Sequence, residues 1–287
     1  MNVLVATDGS KYGRWGLNWV SKLPFIEPPR VTALHVLNID AFRSPFLVQP
    51  VMAGNERYIQ EEIQRIEARS AKTIMDTKKQ MAALKLKGTV LEDQGAIAPL
   101  ILKRVPKRDG LLVVGSHGLD ALDRFMLGSV STNLIHHATC PILVVKGAAT
   151  PPRRITLAID GSNASVKALE FVLARLRPVS SPGKAGRLPI HVSVIHVMPF
   201  IKYPEMKEAG RKLVEQSVRK LIEAGFTAEA LCQLGKPAEE IVQVATKHHA
   251  DLIVMGAKGL GAIARFLVGS VSTRVVHLSA CSVLVVR

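Results

Sequence analysis

The chain has 287 residues, 48% of them apolar and 21% charged, and carries a net charge of +15 at pH 7. That composition supplies two buried cores and excludes a disordered chain. The longest apolar runs, such as Leu111 to Gly115 and Ser282 to Val286, are strand-sized and fall far below the roughly 20 residues needed to cross a bilayer, so no membrane segment is expected.

The opening run Val3-Leu4-Val5-Ala6 reads as a buried strand, not as the basic and apolar parts of a signal peptide, and places the protein in the cytoplasm. Further strands are expected near Arg30 to Leu37, Gly88 to Glu92, Leu111 to Val114 and Ile142 to Val145, with the first ending at Thr7. Ser10 stands where an N-cap would start the first helix. Phe42 to Gly54 reads as an irregular loop. It leads into a covering helix over Glu56 to Leu86, with Ile59, Ile63, Ile66, Ile74, Met81 and Leu84 at helical spacing.

The same order then returns. Asp109 to Val145 lies over Ala250 to Val286 without a gap, and VLVATDGS at Val3 lies over ITLAIDGS at Ile155. The second set of strands is expected near Ile155 to Ile159, Ile190 to Val197, Thr227 to Gln233, Leu252 to Met255 and Val283 to Val286, with Ser162 as the matching N-cap. The segment GAATPPR, Gly147 to Arg153, has linker composition, so the expected domains are 1–147 and 153–287. Continuously apolar strands alternating with helices imply a doubly wound parallel sheet covered on both faces. Ligands of such sheets bind outside the carboxyl ends of the strands.

Each fourth strand is followed by the same glycine pattern. Gly115-Ser116-His117-Gly118 is separated by nine residues from Gly128-Ser129-Val130-Ser131, and Gly256-Ala257-Lys258-Gly259 by nine from Gly269-Ser270-Val271-Ser272. Glycines at a strand end let backbone approach a phosphate, and the first N–H groups of the next helix offer donors and the positive end of a dipole. Serine hydroxyls would add donors.

With G-x-x-G-x9-G-S-V-S present twice, the chain resembles the universal stress protein family, in its ATP-binding, tandem two-domain form. The resemblance implies an α/β fold of two tandem doubly wound five-stranded parallel-sheet domains, Rossmann-like, with strand order 3-2-1-4-5. It implies that Asp8 and Asp160, preceded by Thr7 and Ile159, meet the nucleoside, and that Val36 and Val197 line the adenine pocket. Val114 and Met255, just before the first glycines, would touch the nucleoside as well. Gly128 to Ser131 and Gly269 to Ser272 would wrap the phosphates of ATP, with any Mg2+ held by those phosphates, while Gly115 to Gly118 and Gly256 to Gly259 pass beside the ribose and phosphates. The last strands, edge candidates at Pro141 to Lys146 and Ser282 to Arg287, pair two domains in that family. The copies are therefore expected to form an internal pseudo-dimer, with further self-association left open.

Competing readings accompany these. Asp8-Gly9 and Asp160-Gly161 also suit plain turns. His35 and His196 are expected to satisfy core hydrogen bonds, not to bind metal, and no metal site is expected. The adjacent pairs His136-His137 and His248-His249 are assigned no site. Gly259 to Ala264 mimics a dinucleotide fingerprint but does not follow a first strand. Cys140, Cys232 and Cys281 read as small core residues. The basic residues, among them Lys72, Lys78, Lys79, Lys85, Lys87, Arg211, Lys212, Arg219 and Lys220, look dispersed over helix faces, without aromatics to stack bases. Nucleic acid is therefore not the expected partner. The expected function is a cytosolic ATP-binding stress-response protein acting as a nucleotide-dependent sensor or regulator, not an enzyme, with slow ATP hydrolysis or adenylyl transfer as the alternative. Lys258 in place of His117, and Gly261 and Ala264 in place of Asp120 and Asp123, make the second copy the expected tighter triphosphate binder.

Overall fold

The computed structural model describes residues 1–38, 56–118, 127–179, 189–198, 204–259 and 268–287. The first repeat runs β1 (Asn2–Ala6), α1 (Lys11–Lys22), β2 (Arg30–Leu37), α2 (Glu56–Ala83), β3 (Gly88–Gln94), α3 (Ile97–Arg104), β4 (Gly110–Gly115), α4 (Ser129–His137) and β5 (Ile142–Val145). The second runs β6 (Arg154–Ala158), α5 (Asn163–Arg175), β7 (His191–Met198), α6 (Pro204–Glu223), β8 (Thr227–Leu234), α7 (Pro237–Lys247), β9 (Leu252–Gly256), α8 (Ser270–Leu278) and β10 (Ser282–Val286). The expected Phe42 to Gly54 loop lies outside the described residues.

Among the described residues the strands form one sheet of order β3-β2-β1-β4-β5-β10-β9-β6-β7-β8. Each half is parallel internally with the strand order 3-2-1-4-5. The apolar runs are continuous because both faces are covered. Val3 and Val5 of β1 with Leu111 and Val113 of β4 enter one core, which is closed by Leu17 of α1 and Met81 of α2. Leu4, Leu112 and Val114 enter the other, closed by Ile101 of α3 and Leu134 of α4. The N-caps fall where the serines suggested. Ser10 and Ser162 accept the N–H groups of Gly13 and Ser165, each at 3.2 Å.

The halves join where β5 and β10 pair antiparallel, Val283 beside Val144, Leu284 beside Leu143 and Val285 beside Ile142. These are edge strands only within their own half. The free edges of the whole sheet are β3 and β8. Phe25 and Leu176 add a second antiparallel bridge between the halves. The residues just beyond β5 and β10 then reach across. Lys146 Nζ donates to the carbonyls of Ser279 (2.7 Å) and His277 (3.2 Å) at the end of α8, and Arg287 donates to the Ile135 carbonyl in α4. Each cation thus meets the negative end of the other half's helix dipole.

The cysteines differ in part from expectation. Cys140 is buried, but Cys232 and Cys281 are only partly so, since β8 is an outer strand and Cys281 precedes β10. Burial still pushes the Cys140 and Cys281 thiols up to about 11.

Burial lowers the Lys146 amine from 10.5 to about 8. In the fold this amine releases its proton near pH 8, whereas in the unfolded chain it keeps it to about 10.5, so its contribution to stability rises with pH across that window. Denaturant unfolding of wild type and Lys146→Met at several pH values should show the wild type gaining on the variant between pH 8 and 10. A constant difference would mean that the ammonium is not desolvated at the junction.

Candidate functional site

In the first half a cleft of about 430 Å³ opens at the carboxyl ends of β1, β2 and β4. Thr7, Asp8, Val36, Val114, Gly115, His117, Gly118, Gly128, Ser129, Val130 and Ser131 all line it, so every residue singled out in this half converges on one cavity. Their counterparts Ile159, Asp160, Val197, Met255, Gly256, Lys258, Gly259, Gly269, Ser270, Val271 and Ser272 occupy the equivalent ends of β6, β7 and β9 and the start of α8. Because β5 and β10 are antiparallel, the two sets of strand ends point in opposite directions. Asp120, Asp123, Gly261 and Ala264, invoked for the loop charge, lie outside the described residues, as does most of the fingerprint-like Gly259 to Ala264.

The aspartates serve the turn and also face the cleft. Gly9 and Gly161 take φ of +79° and +83°, a left-handed turn that glycine permits, and Asp8 Oδ1 and Asp160 Oδ1 accept the N–H groups of Ser10 (2.9 Å) and Ser162 (3.0 Å). The other carboxylate oxygen faces the glycine motif. A Cβ at Gly118 would stand 2.9 Å from Asp8 Oδ2, and one at Gly259 would stand 2.7 Å from Asp160 Oδ2. Gly115 and Gly256 are required by packing, since a Cβ there would come within 2.7 Å of Tyr12 or 2.5 Å of the Ala164 backbone.

Gly128 and Gly269 are different. They have ordinary φ of −63° and −81°, and among the described residues a Cβ would meet nothing closer than 3.5 and 3.4 Å. Neither backbone strain nor internal packing demands a glycine there. Both are N-caps without a side chain, so among the described residues the first N–H groups of α4 and α8 have no side-chain cap, in contrast to the helices capped by Ser10 and Ser162.

Ser131 and Ser272 are placed differently from expectation. The Ser131 hydroxyl donates to the Gly115 carbonyl (2.7 Å) and the Ser272 hydroxyl to the Ala257 carbonyl (2.8 Å), tying the helix start to the strand end. Their hydroxyls are thus committed inside the protein, although Ser131 still lines the cleft. Ser129 and Ser270 are exposed at the helix tips.

His35 and His196 behave as core histidines. Each Nδ1 lies 2.9 Å from a strand-end carbonyl, Thr7 or Ile159, immediately before the aspartate. His117 is held by Ser116 Oγ at Nδ1 (2.8 Å) and by the Tyr12 ring (centroids 5.0 Å apart), and its Nε2 is buried without a partner among the described residues.

Sequence reasoning missed the α2 wall of the cleft, formed by Ile66, Arg69, Ser70 and Thr73. The signal was there as an interruption of the apolar stripe. Ser70, Thr73 and Thr77, all facing inward and buried, stand where a plain covering helix would carry aliphatic side chains. Ile97 and Ile101 of α3 supply the apolar wall.

Two doubly wound Rossmann-like halves, fused through their fifth strands and carrying the same glycine-lined strand ends, define the class of protein. The sequence pattern of the Universal stress protein family matches residues 1–146 and again 152–287, and the chain belongs to that family. A universal stress protein of Mycolicibacterium smegmatis is 27% identical over 303 residues, covering 99% of this chain and 96% of the relative. Universal stress protein YxiE of Bacillus subtilis is 34% identical over 146 residues, which is 47% of this chain and 98% of the relative. The crystal structure of a universal stress protein from Archaeoglobus fulgidus superposes with a TM-score of 0.67 at 19% identity, covering 100% of this chain and 96% of that one, and shows the shared fold.

The glycines should separate by mutation. Gly118→Ala drives a Cβ against Asp8 and is expected to cost about 1–3 kcal/mol, whereas Gly128→Ala should stay within about 0.5 kcal/mol of wild type. Equal losses in denaturant unfolding would show that Gly128 too serves internal packing.

Proposed function

We propose that the chain is a cytoplasmic, nucleotide-dependent stress-response protein whose two units, 1–147 and 153–287, each bind ATP through the glycine-serine cradle. The observation that carries this reading is the pair Gly128 and Gly269. The fold leaves a side-chain-sized opening at two uncapped helix starts, and an anion is what such a start attracts.

The other contacts follow from the cleft. Phosphates would lie over the N–H groups of Ser129 to Ser131. The ribose would meet the Asp8 carboxylate, which as an acceptor suits hydroxyl donors, and the base would lie against Val36, Ile97, Ile101 and Val114. In the second unit Asp160, Val197, Met255 and Lys258 take the corresponding parts. Mg2+ would arrive on the phosphates. Among the described residues buried His117 Nε2 has no hydrogen-bond partner, which marks a polar spot in the first cleft for a ligand to satisfy. The function so described is binding, and its output a change in shape or partners.

Calorimetric titration of the Gly128→Val, Gly269→Val double variant tests it. ATP affinity should fall at least 100-fold while thermal unfolding stays cooperative, and a folded variant that keeps wild-type affinity would refute the cradle. Asp8→Ala with Asp160→Ala should weaken ATP and adenosine alike, by roughly 10- to 100-fold, the cost of losing a hydrogen bond to a charged acceptor. Loss for ATP alone would move the carboxylates to phosphate or metal.

A further inference from the structure

The two halves share one fold, so what the fold requires should appear in both. At the opposite end from the cleft, where the strands start, they differ sharply. In the first half Lys85 and Lys87 precede β3, Arg30 begins β2, and Lys107 and Arg108 precede β4. Strand register aligns these positions with Gly225, Thr227, His191, His248 and His249 in the second half. At these five positions side chains with a permanent positive charge in the first half are replaced by neutral or titratable ones in the second, whose own cations at this end are Arg153 and Arg154 at the start of β6, and helix and sheet form equally well around both.

The charge is also kept against local preference. Lys85 has φ of +54° at the turn where the repeat uses Gly225 at +89°. A lysine in that conformation costs roughly 1 kcal/mol relative to glycine. The cations are exposed, and none of them forms an ion pair among the described residues. Asp109, the carboxylate beside them, is already held by Arg175 at 2.6 Å. In the second half a carboxylate is instead built in. Glu229 accepts from both His191 (3.0 Å) and His248 (2.9 Å) where the register puts Thr89 in the first half, and Asp251 Oδ2 accepts the N–H groups of Arg153 and Arg154.

β3, β2, β1 and β4 are adjacent, and strands lie about 4.8 Å apart, so the cations form a row roughly 15 Å long on one narrow end of the sheet. We propose that this row docks the phosphate backbone of a nucleic acid duplex, independently of base sequence. Among the described residues no exposed aromatic ring stands at these strand starts to stack on a base, and the large apolar side chain exposed beside them is the single Ile26 in the turn before β2, too little to hold a bilayer. A ridge of charge one strand layer deep follows a line of phosphates more closely than it lies on the plane of a membrane. The row is separate from the nucleotide cleft, and the proposal stands whether or not ATP binds there.

Fluorescence anisotropy of the full chain with labelled 25-base-pair duplexes of unrelated sequence tests the proposal. Four or so neutralised phosphates predict a roughly 100-fold loss of affinity between 50 and 200 mM NaCl. Giving the first half the second half's residues, Lys85→Gly, Lys87→Thr, Lys107→His and Arg108→His, should weaken binding at least tenfold at pH 7.5 and flatten the salt dependence. A control with the same loss of charge, Lys167→Gln, Lys212→Gln, Arg219→Gln and Lys220→Gln, should change affinity less than threefold, with circular dichroism confirming both folds. Equal losses in the two variants, no wild-type binding at 50 mM NaCl, or row-dependent binding to phosphatidylserine vesicles without duplex binding would each overturn the proposal.

Discussion

The site depends on how the start of α4 is fastened to the end of β4. The Gly128 N–H donates to the Ser116 carbonyl at 2.9 Å and the Ser131 hydroxyl to the Gly115 carbonyl at 2.7 Å; in the second half Gly269 and Ser272 both donate to the Ala257 carbonyl. These bonds satisfy the strand-end carbonyls from inside the helix's first turn. Among the described residues the cap supplies no side-chain acceptor to that turn, whose residues Ser129, Val130 and Ser131 line the cleft, and a helix start so placed is an electrostatic site before any charged side chain is added. Glycine at the cap then leaves the volume in front of it open.

The antiparallel junction gives this arrangement its doubled form. Apolar β5 and β10 cover one another's edges, which would otherwise invite pairing with other chains. Lys146 and Arg287 cap the partner half's helix ends, α8 and α4, the same two helices whose opposite ends make the cradles. Each cradle helix is therefore held at its N-terminus by its own half and at its C-terminus by the other. A shift at the junction would be felt at both sites, which is a physical route by which two units in one chain could respond together.

Much of this was legible in the sequence, for identifiable reasons. Strands buried on both faces have to be apolar throughout, so runs such as Leu111 to Val114 announced themselves. The internal repeat turned the glycine spacing from a common coincidence into a pattern. Other features rest on contacts distant in sequence. Lys146 reaches Ser279 across 133 positions, and nothing local marks it as a cap. Ser131 looked like a phosphate donor because a serine after glycine usually reads so, and its hydroxyl instead closes the turn. The lysines of Lys85 and Lys87 looked scattered until the topology brought them to the same end as Arg30 and Arg108. The hydroxyl face of α2 lay within an apolar stripe that reads equally well as plain core.

In the proposed complex, backbone N–H groups at the two helix starts without a side-chain cap hold the phosphates of ATP. Amide chemical shifts of the deuterated, nitrogen-15-labelled chain, recorded while ATP or adenosine is titrated in, test it at the atoms concerned. The amides of Ser129 to Ser131 and Ser270 to Ser272 should move with ATP and stay in place with adenosine, while Gly9 and Gly161, beside the aspartates, should move with both. Unchanged helix-start amides at saturating ATP would contradict it.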